Sequence, residues 1–239
     1  MANIITRNIP NTITCCNLIS GCIATLSAFM GEIHMALLWI IIGAIFDFFD
    51  GMSARLLHVS SPIGKELDSL ADDITFGMAP AAIVFYEMGI MEYPAFLAPV
   101  QPYMPFVAFL IAAFSALRLA KFNLDERQTT SFIGLPTPAN ALFWASLIVG
   151  GGESLEHSGV GVYIVLALVL LTSWLLVSEL PMFALKFKSW GWRGNEIKYI
   201  FVITCIPMLA FLGYSGFAVV MAWYVLLSVV VASRGASHD

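Results

Sequence analysis

Long apolar runs separated by short polar stretches dominate the sequence from residue 13 onward. A helix that crosses a bilayer needs about 20 mostly apolar residues, and sliding apolar windows identify the candidates. The runs show no two-residue alternation, so they predict helices and not the strands of a membrane barrel. About eight spans are predicted, at residues 13–30, 35–56, 69–89, 103–121, 137–150, 161–178, 198–213 and 216–233.

The composition excludes an ordinary soluble domain. Hydrophobic residues make up 59% of the chain and charged residues only 11%, whereas soluble domains carry about 25% charged residues. The sequence therefore predicts an all-α, polytopic transmembrane bundle that forms a single domain over residues 1–239 in the lipid bilayer, with no nucleic-acid partner. Residues 179–197 mix aromatic and cationic side chains, and we expect an interfacial segment there.

The cations are distributed unevenly between the two sides of these spans. Eight spans place both termini on the same side, and every Lys and Arg falls on that side. The positive-inside rule places both termini and these loops in the cytoplasm, with the protein in the cell (inner) membrane. The opposite loops carry acidic residues and histidines. The eleven cations are Arg7, Arg55, Lys65, Arg118, Lys121, Arg127, Lys186, Lys188, Arg193, Lys198 and Arg234.

Four aspartates lie close together in the sequence, near the end of the second predicted span and the beginning of the third. Asp47 and Asp50 are three residues apart and Asp68 and Asp72 are four apart, so each pair shares one face of a helix. The turn at residues 60–64 makes the two helices antiparallel, which brings the pairs together at the cytoplasmic end. Carboxylates within an apolar bundle are costly and indicate a functional site.

Such a group of carboxylates requires a counter-cation, because like charges in close proximity repel each other. Hard oxygen ligands favour Mg²⁺ or Mn²⁺, and four carboxylates can hold two ions. Two ions neutralise a diphosphate and stabilise the attacking and leaving oxygens of a displacement. Arg55 is placed to bind phosphate oxygens. Glu66 and Asp73 are interpreted as solvated residues near a helix start.

The aspartate segment resembles the signature of the CDP-alcohol phosphotransferase family. That signature is an Asp-x-x-Asp-Gly-x-x-Ala-Arg block followed, after eight or nine residues, by Gly-x-x-x-Asp-x-x-x-Asp. The resemblance implies a membrane-embedded, metal-dependent enzyme, commonly a homodimer, with its site at the cytoplasmic surface. Every fixed place is filled, by Asp47, Asp50, Gly51, Ala54, Arg55, Gly64, Asp68 and Asp72.

The resemblance also implies roles for individual residues. The four aspartates hold the two metal ions, and Asp72 is in addition the catalytic general base that deprotonates the acceptor hydroxyl. Family members begin their first helix with a stretch similar to residues 10–17 here, which adds three polar side chains to the expected CDP-lipid site. The residues implied to bind the CDP-lipid are Asn11, Thr14, Asn17, Gly51, Ala54, Arg55, Ser61 and Gly64.

Two later segments bear on the acceptor. Residues 118–123 read Arg-Leu-Ala-Lys-Phe-Asn, and residues 132–140 read Phe-Ile-Gly-Leu-Pro-Thr-Pro-Ala-Asn. Both are similar to segments of the phosphatidylserine synthase branch of the family, which implies CDP-diacylglycerol (or CDP-archaeol) and L-serine as substrates. Arg118, Lys121 and Asn123 are the acceptor-binding candidates. Lys121 stands where Arg is commoner, which keeps the charge and loses the planar fork.

Three other functions are compatible with the same residues. The same chemistry could serve glycerol 3-phosphate or inositol phosphate, although a phosphorylated acceptor favours more cations than Arg118 and Lys121. Buried carboxylates could instead form the ion site of a cation transporter, but Arg55 beside the path would repel the cargo. A scaffold without activity is the third alternative, and the intact signature disfavours it.

Overall fold

A computed structural model describes residues 4–59, 61–125, 132–182, 191–192 and 195–235, with side chains from residue 8 to residue 231 except at Phe132. Most of the expected interfacial segment at 179–197 lies outside these residues, so that expectation stays a prediction. The cations outside them are Arg127, Lys186, Lys188 and Arg193.

Helices account for most of the described chain, which confirms the all-α prediction. A π-helical segment, Asp73–Met78, joins α3 to α4 without a break, and a short 3₁₀ turn, Met104–Ala108, precedes α5. The third predicted span is therefore the inner part of a longer helix, and the fifth extends beyond residue 150. The helices are α1 (Ile4–Phe29), α2 (Ile33–Leu56), α3 (Pro62–Asp72), α4 (Ala79–Ile90), α5 (Phe109–Leu124), α6 (Thr137–Glu156), α7 (Gly161–Val177), α8 (Glu196–Leu212) and α9 (Tyr214–Gly235).

Four helical stretches in the described part of the chain are long and apolar enough to cross a membrane. The shorter helix α7 is also apolar. Many large hydrophobic side chains of α8 and α9 are exposed, as expected for surfaces that face lipid. The four stretches are Asn8–Phe29, Ile33–Leu56, Met104–Leu124 and Tyr214–Val231.

Small residues allow the central helices to pack closely. Ala24 and Ala28 of α1 meet Ala36 of α2 and Ala145 of α6 around the fully buried Phe76. A second cluster joins α4, α5, α6 and α7 around the buried indole of Trp144. Without a hydrophobic driving force in lipid, close packing of small residues is the main source of helix association. This packing fixes the π-helical segment in the centre of the bundle.

A short antiparallel pairing holds the beginning of α6 in place. Strand β1 (Phe132–Ile133) pairs with β2 (Pro181–Met182), and Gly134 follows with a φ of 75°. The Gly134 N–H donates to the carbonyl of Leu180 at 2.9 Å. A Cβ at Gly134 would lie 2.8 Å from the Leu176 carbonyl oxygen, so both its φ and its contacts require glycine.

The two ends of the bundle differ in the charge of the residues that the structure describes there. Lys65 and Lys121 lie at the end where α3 begins and α5 finishes. At the opposite end the Glu92 N–H donates to the Glu156 carbonyl at 3.0 Å, and His157 Nδ1 lies 3.3 Å from Glu92 Oε1. The sequence predicts a separation of charge between the two sides of the membrane, and which side each end faces stays a prediction.

Candidate active site

Three of the four predicted aspartates form one compact group. Asp47, Asp50 and Asp68 each bring a carboxylate oxygen within 4.8 Å of the others. The side chain of Asp72 directly contacts that of Asp47. The antiparallel arrangement expected from the turn therefore brings both aspartate pairs to one place.

The turn between α2 and α3 has a local cause in the sequence. Ser61 is the N-cap of α3, and its hydroxyl accepts a hydrogen bond from the Gly64 N–H at 2.9 Å. Pro62 occupies the first helical position, where its missing N–H costs nothing. The helix therefore begins at a fixed point, which sets the directions of Asp68 and Asp72.

Helix α1 supplies hydrogen bonds to one aspartate of each pair. The Thr14 hydroxyl donates to Asp50 Oδ2 at 2.6 Å, and the Asn17 amide donates to Asp72 Oδ1 at 3.0 Å. Thr14 and Asn17 are buried, so these bonds are protected from water. Asn17, which the family resemblance assigns to the CDP-lipid, thus contacts the predicted general base in the structure.

Thr75 of the π-helical segment locks this arrangement against α1 and α2. Its hydroxyl donates to the Asn17 carbonyl at 3.0 Å. A Cβ at Gly21 would meet the Thr75 hydroxyl and backbone, and a Cβ at Gly43 would lie 2.5 Å from the Thr75 methyl group. The two glycines therefore admit Thr75 between the helices, and π-helical turns of this kind are frequent at functional sites.

A cavity of about 280 Å³ opens beside the aspartates. Six of the eight residues expected to bind the CDP-lipid line this cavity. The other two are Asn17 and Arg55. Lys65 and Val59 line it as well, and the sequence analysis assigned neither a role. The lining residues are Pro10, Asn11, Thr14, Asp50, Gly51, Ala54, Val59, Ser61, Gly64, Lys65 and Asp68.

The two signature glycines keep this cavity open. A Cβ at Gly64 would lie 3.0 Å from Asn11 Oδ1 and 3.1 Å from the Ser61 hydroxyl. A Cβ at Gly51 would lie 4.0 Å from Arg55 Nη1. The exposed Arg55 side chain therefore reaches back along α2 towards Gly51, next to the cavity. A cation at that position can neutralise a phosphate group at the mouth of the cavity.

The three acceptor-binding candidates on α5 have different environments. Arg118 is buried, lies over the Phe122 ring and is close enough to Asp72 for their charges to interact. Lys121 is exposed, with Nζ 3.5 Å from the Val177 carbonyl. The Asn123 amide donates to the Ser69 hydroxyl at 2.8 Å.

Asp73 corrects the sequence analysis, because it is not a solvated residue near a helix start. It lies where α3 passes into the π-helical segment, in the middle of a continuous helix. It is half-buried, and its Oδ1 atom is inaccessible and has no hydrogen-bond partner in the described structure. The interpretation of Glu66 holds, since Glu66 is exposed in α3.

The aspartate group fits a divalent cation. Its donors are carboxylate oxygens, the ligands that Mg²⁺ and Mn²⁺ prefer. Asp47 and Asp72 are in contact, and two ionised carboxylates in contact repel each other unless a cation lies between them. The cluster could therefore hold a metal ion beside the cavity, which Asp50 and Asp68 line.

Comparison with known proteins agrees with this geometry. The chain is 40% identical to the CDP-diacylglycerol–serine O-phosphatidyltransferase of Bacillus subtilis over 134 residues, which cover 54% of this chain and 69% of that protein. The proteins of the same name from Helicobacter pylori (strain 26695) and Methanocaldococcus jannaschii are 27% and 28% identical. Those alignments cover 92% and 95% of this chain, and 89% and 95% of the relatives. A family model described as CDP-alcohol phosphatidyltransferase matches residues 7–177, and the chain belongs to that family.

Proposed function

We propose that this protein transfers the phosphatidyl group of CDP-diacylglycerol to the hydroxyl of L-serine and releases CMP. The observation that carries the proposal is the meeting of the four signature aspartates beside the cavity. The names of the relatives and the two α5–α6 segments support serine as the acceptor. The alternative is the same transfer with glycerol 3-phosphate or inositol phosphate as the acceptor.

Asp47, Asp50, Asp68 and Asp72 would hold one or two Mg²⁺ or Mn²⁺ ions. When bound, such ions supply positive charge that offsets the charge of the diphosphate and of the leaving CMP. Asn11, Ser61 and Gly64 would contact the cytidine end within the cavity, and Arg55 would bind phosphate oxygens. The acyl chains would leave sideways into the bilayer.

The chain's own groups carry the proton and orient the acceptor. Asp72 takes the proton from the serine hydroxyl while the serine oxygen forms a bond to the phosphorus that bears the lipid. The bond from that phosphorus to CMP breaks, and CMP leaves with the electron pair. Asn17 orients Asp72 through its 3.0 Å hydrogen bond, and Arg118 offers a cation for the serine carboxylate. Such base catalysis contributes typically 10²- to 10⁴-fold.

The separation of charge supports a site that faces the cytoplasm. Arg55, Lys65 and Lys121 share the end of the bundle that carries the aspartates. We therefore place the protein in the inner membrane with this end inside, as the positive-inside rule requires.

The test is CMP release by the purified protein in detergent, with CDP-diacylglycerol, Mn²⁺ or Mg²⁺ and each candidate acceptor in turn. Serine-dependent release that EDTA and Asp72→Asn abolish is expected. Release with glycerol 3-phosphate but not with serine would change the acceptor and keep the chemistry. Release with no acceptor and no metal would contradict the proposal, and metal uptake by sealed proteoliposomes would favour a transporter.

A further inference from the structure

Buried polar atoms without partners cluster on three elements next to Asp72. These elements are the π-helical segment, α5 and α6, and both helices pack on the π-helical segment. A buried polar group with no hydrogen-bond partner costs free energy, and few are found in native proteins. Several in one place therefore indicate that something else completes them. On these three elements the described residues with such atoms are Asp73, Ser115, Arg118, Thr137 and Asn140, and others occur on Asn17, Glu87 and Ser173.

Asp73 and Ser115 lie close together, on either side of Gly77. The point where a Cβ on Gly77 would stand lies 2.7 Å from Asp73 Oδ1 and 3.0 Å from Ser115 Cβ. Ser115 is completely buried, and its hydroxyl has no partner in the described part of the chain. The absence of a side chain at Gly77 therefore leaves the Asp73 carboxylate facing α5 at the level of Ser115.

Arg118 continues the row of buried polar side chains along α5. It lies three residues after Ser115, so the two side chains share one face of the helix. Only 7% of Arg118 is exposed, and its Nε has no partner within the described residues. Its charge interacts with that of Asp72. A buried cation and a half-buried carboxylate thus lie on the two elements that form one interface, α5 and the π-helical segment. Asp73 directly follows the proposed general base in the chain.

This pair of opposite charges matches a zwitterion. An amino acid presents a carboxylate and an ammonium group on one carbon, and each is best bound by a group of opposite charge. Asn140 and Thr137 lie on the helix that packs against the same segment, are fully buried, and add an amide and a hydroxyl. A phosphorylated alcohol has no positive group, so the Asp73 carboxylate would repel it.

From this geometry we infer that Asp73, with Ser115, binds the ammonium group of an amino-acid acceptor whose carboxylate lies on Arg118. The inference rests on the proposed transfer to serine and names the group that selects this acceptor. Asp73 is then an acceptor-binding residue and not a metal ligand. Asp73 contacts only the ammonium group of the acceptor. Its effect on serine binding can therefore be measured separately from the metal binding and base catalysis of the four aspartates.

The test compares L-serine with 3-hydroxypropionate, which keeps the hydroxyl and carboxylate but lacks the ammonium group. In Asp73→Asn the KM for serine should rise at least tenfold, the loss expected for a hydrogen bond between charged groups. The inhibition constant of 3-hydroxypropionate against serine should not rise, because this acid has no ammonium group for Asp73 to bind. The Mn²⁺ concentration for half-maximal activity should stay within about twofold. Glu66→Gln removes an exposed carboxylate of α3 and is the matched control, with no change expected in any of these values.

Each result decides the matter. An unchanged serine KM in Asp73→Asn would overturn the inference. The proposed function would still stand if the unmodified protein released CMP in the presence of serine. An equal loss for serine and 3-hydroxypropionate would also overturn the inference, because that pattern indicates a structural role. If Asp73→Asn fails to fold or turn over, Ser115→Ala must raise the serine KM without changing the inhibition constant, and the inference is wrong if it does not. No serine-dependent CMP release by the unmodified protein would contradict the proposed function itself.

Discussion

At the scale of single residues, the site depends on side chains that orient the aspartates. Thr14 and Asn17 come from α1, more than thirty residues before Asp50 and Asp72, and each donates one hydrogen bond to its aspartate. A carboxylate that accepts a directed hydrogen bond has fewer orientations open to it. The geometry of the aspartate group is therefore set by partners outside the signature segment.

Asn17→Ala should lower kcat about 10- to 100-fold, the loss usual for a residue that orients a ligating or catalytic group. The KM for CDP-diacylglycerol should change little, because Asn17 does not line the cavity. Asn11→Ala is the matched variant: Asn11 lines the cavity, so there the KM for CDP-diacylglycerol should rise while kcat stays similar. Steady-state CMP release measures both. A raised lipid KM in Asn17→Ala would instead favour the direct lipid contact implied by the family resemblance.

The grouping of the aspartates could be predicted from the sequence, because their spacing follows directly from helix periodicity. Most of the residues that line the cavity were implied by the resemblance to the family signature. The contacts of Thr75 and Ser115 could not, since they depend on which helices are neighbours in the bundle. Asp73 was misread for a related reason. Its sequence position suggests the beginning of a membrane span, but the helix begins eleven residues earlier, at Pro62.

At the scale of secondary-structure elements, the π-helical segment is held by the fit of Thr75 between α1 and α2. Gly43→Ala should lower the free energy of unfolding by about 1–3 kcal/mol, the usual cost of overpacking, because its Cβ would meet the Thr75 methyl group. Thr75→Ser removes that methyl group, keeps the hydroxyl, and should restore much of the loss. Thermal unfolding in detergent measures the changes.

Two further glycines serve as controls for this prediction. A Cβ at Gly21 meets the Thr75 hydroxyl and backbone, so Thr75→Ser should not rescue Gly21→Ala. Gly89 of α4 has nothing within 4 Å of its Cβ position, and Gly89→Ala should be neutral or stabilising by up to about 1 kcal/mol. Equal rescue of Gly21→Ala and Gly43→Ala would contradict the assigned contacts.

A second link between elements joins α3 to the end of α5. Lys65 Nζ donates to the Asn123 carbonyl at 2.7 Å, and the Asn123 amide donates to Ser69. Lys65 and Ser69 flank Asp68 on α3. The link therefore fixes the position of Asp68 relative to α5, and this function competes with the acceptor-binding role that the sequence predicts for Asn123.

Double-mutant analysis distinguishes the two roles of Asn123. If it acts through α3, Ser69→Ala and Asn123→Ala should each raise the Mn²⁺ concentration for half-maximal activity by about two- to tenfold, the equivalent of one net hydrogen bond. The double variant should then be no worse than either single variant, because both remove the same bond. A rise in the serine KM in Asn123→Ala but not in Ser69→Ala would support direct acceptor binding.

At the scale of the whole molecule, the two ends of the bundle differ in chemistry as well as in charge. The end with the aspartates also carries the cavity. The opposite end contains Glu87, which is 2% exposed and has an Oε1 atom without a partner among the described residues. Gly152 leaves the room for it, since a Cβ there would lie 2.9 Å from that oxygen. The positive-inside rule counts Lys and Arg, so we expect the cations at the aspartate end, and not Glu87, to set the direction of the bundle in the membrane.

Labelling of single cysteines tests that direction. In a variant without Cys15, Cys16, Cys22 and Cys205, an added cysteine at the exposed His157 should react with a membrane-impermeant maleimide in intact cells. A cysteine at the exposed Glu66, at the aspartate end, should react only after the cells are opened. Both positions are solvent-exposed in the structure, so a difference in labelling reports sidedness and not burial. The reverse pattern would place the site outside, where the positive-inside rule fails and cytoplasmic CDP-diacylglycerol could not reach the aspartates.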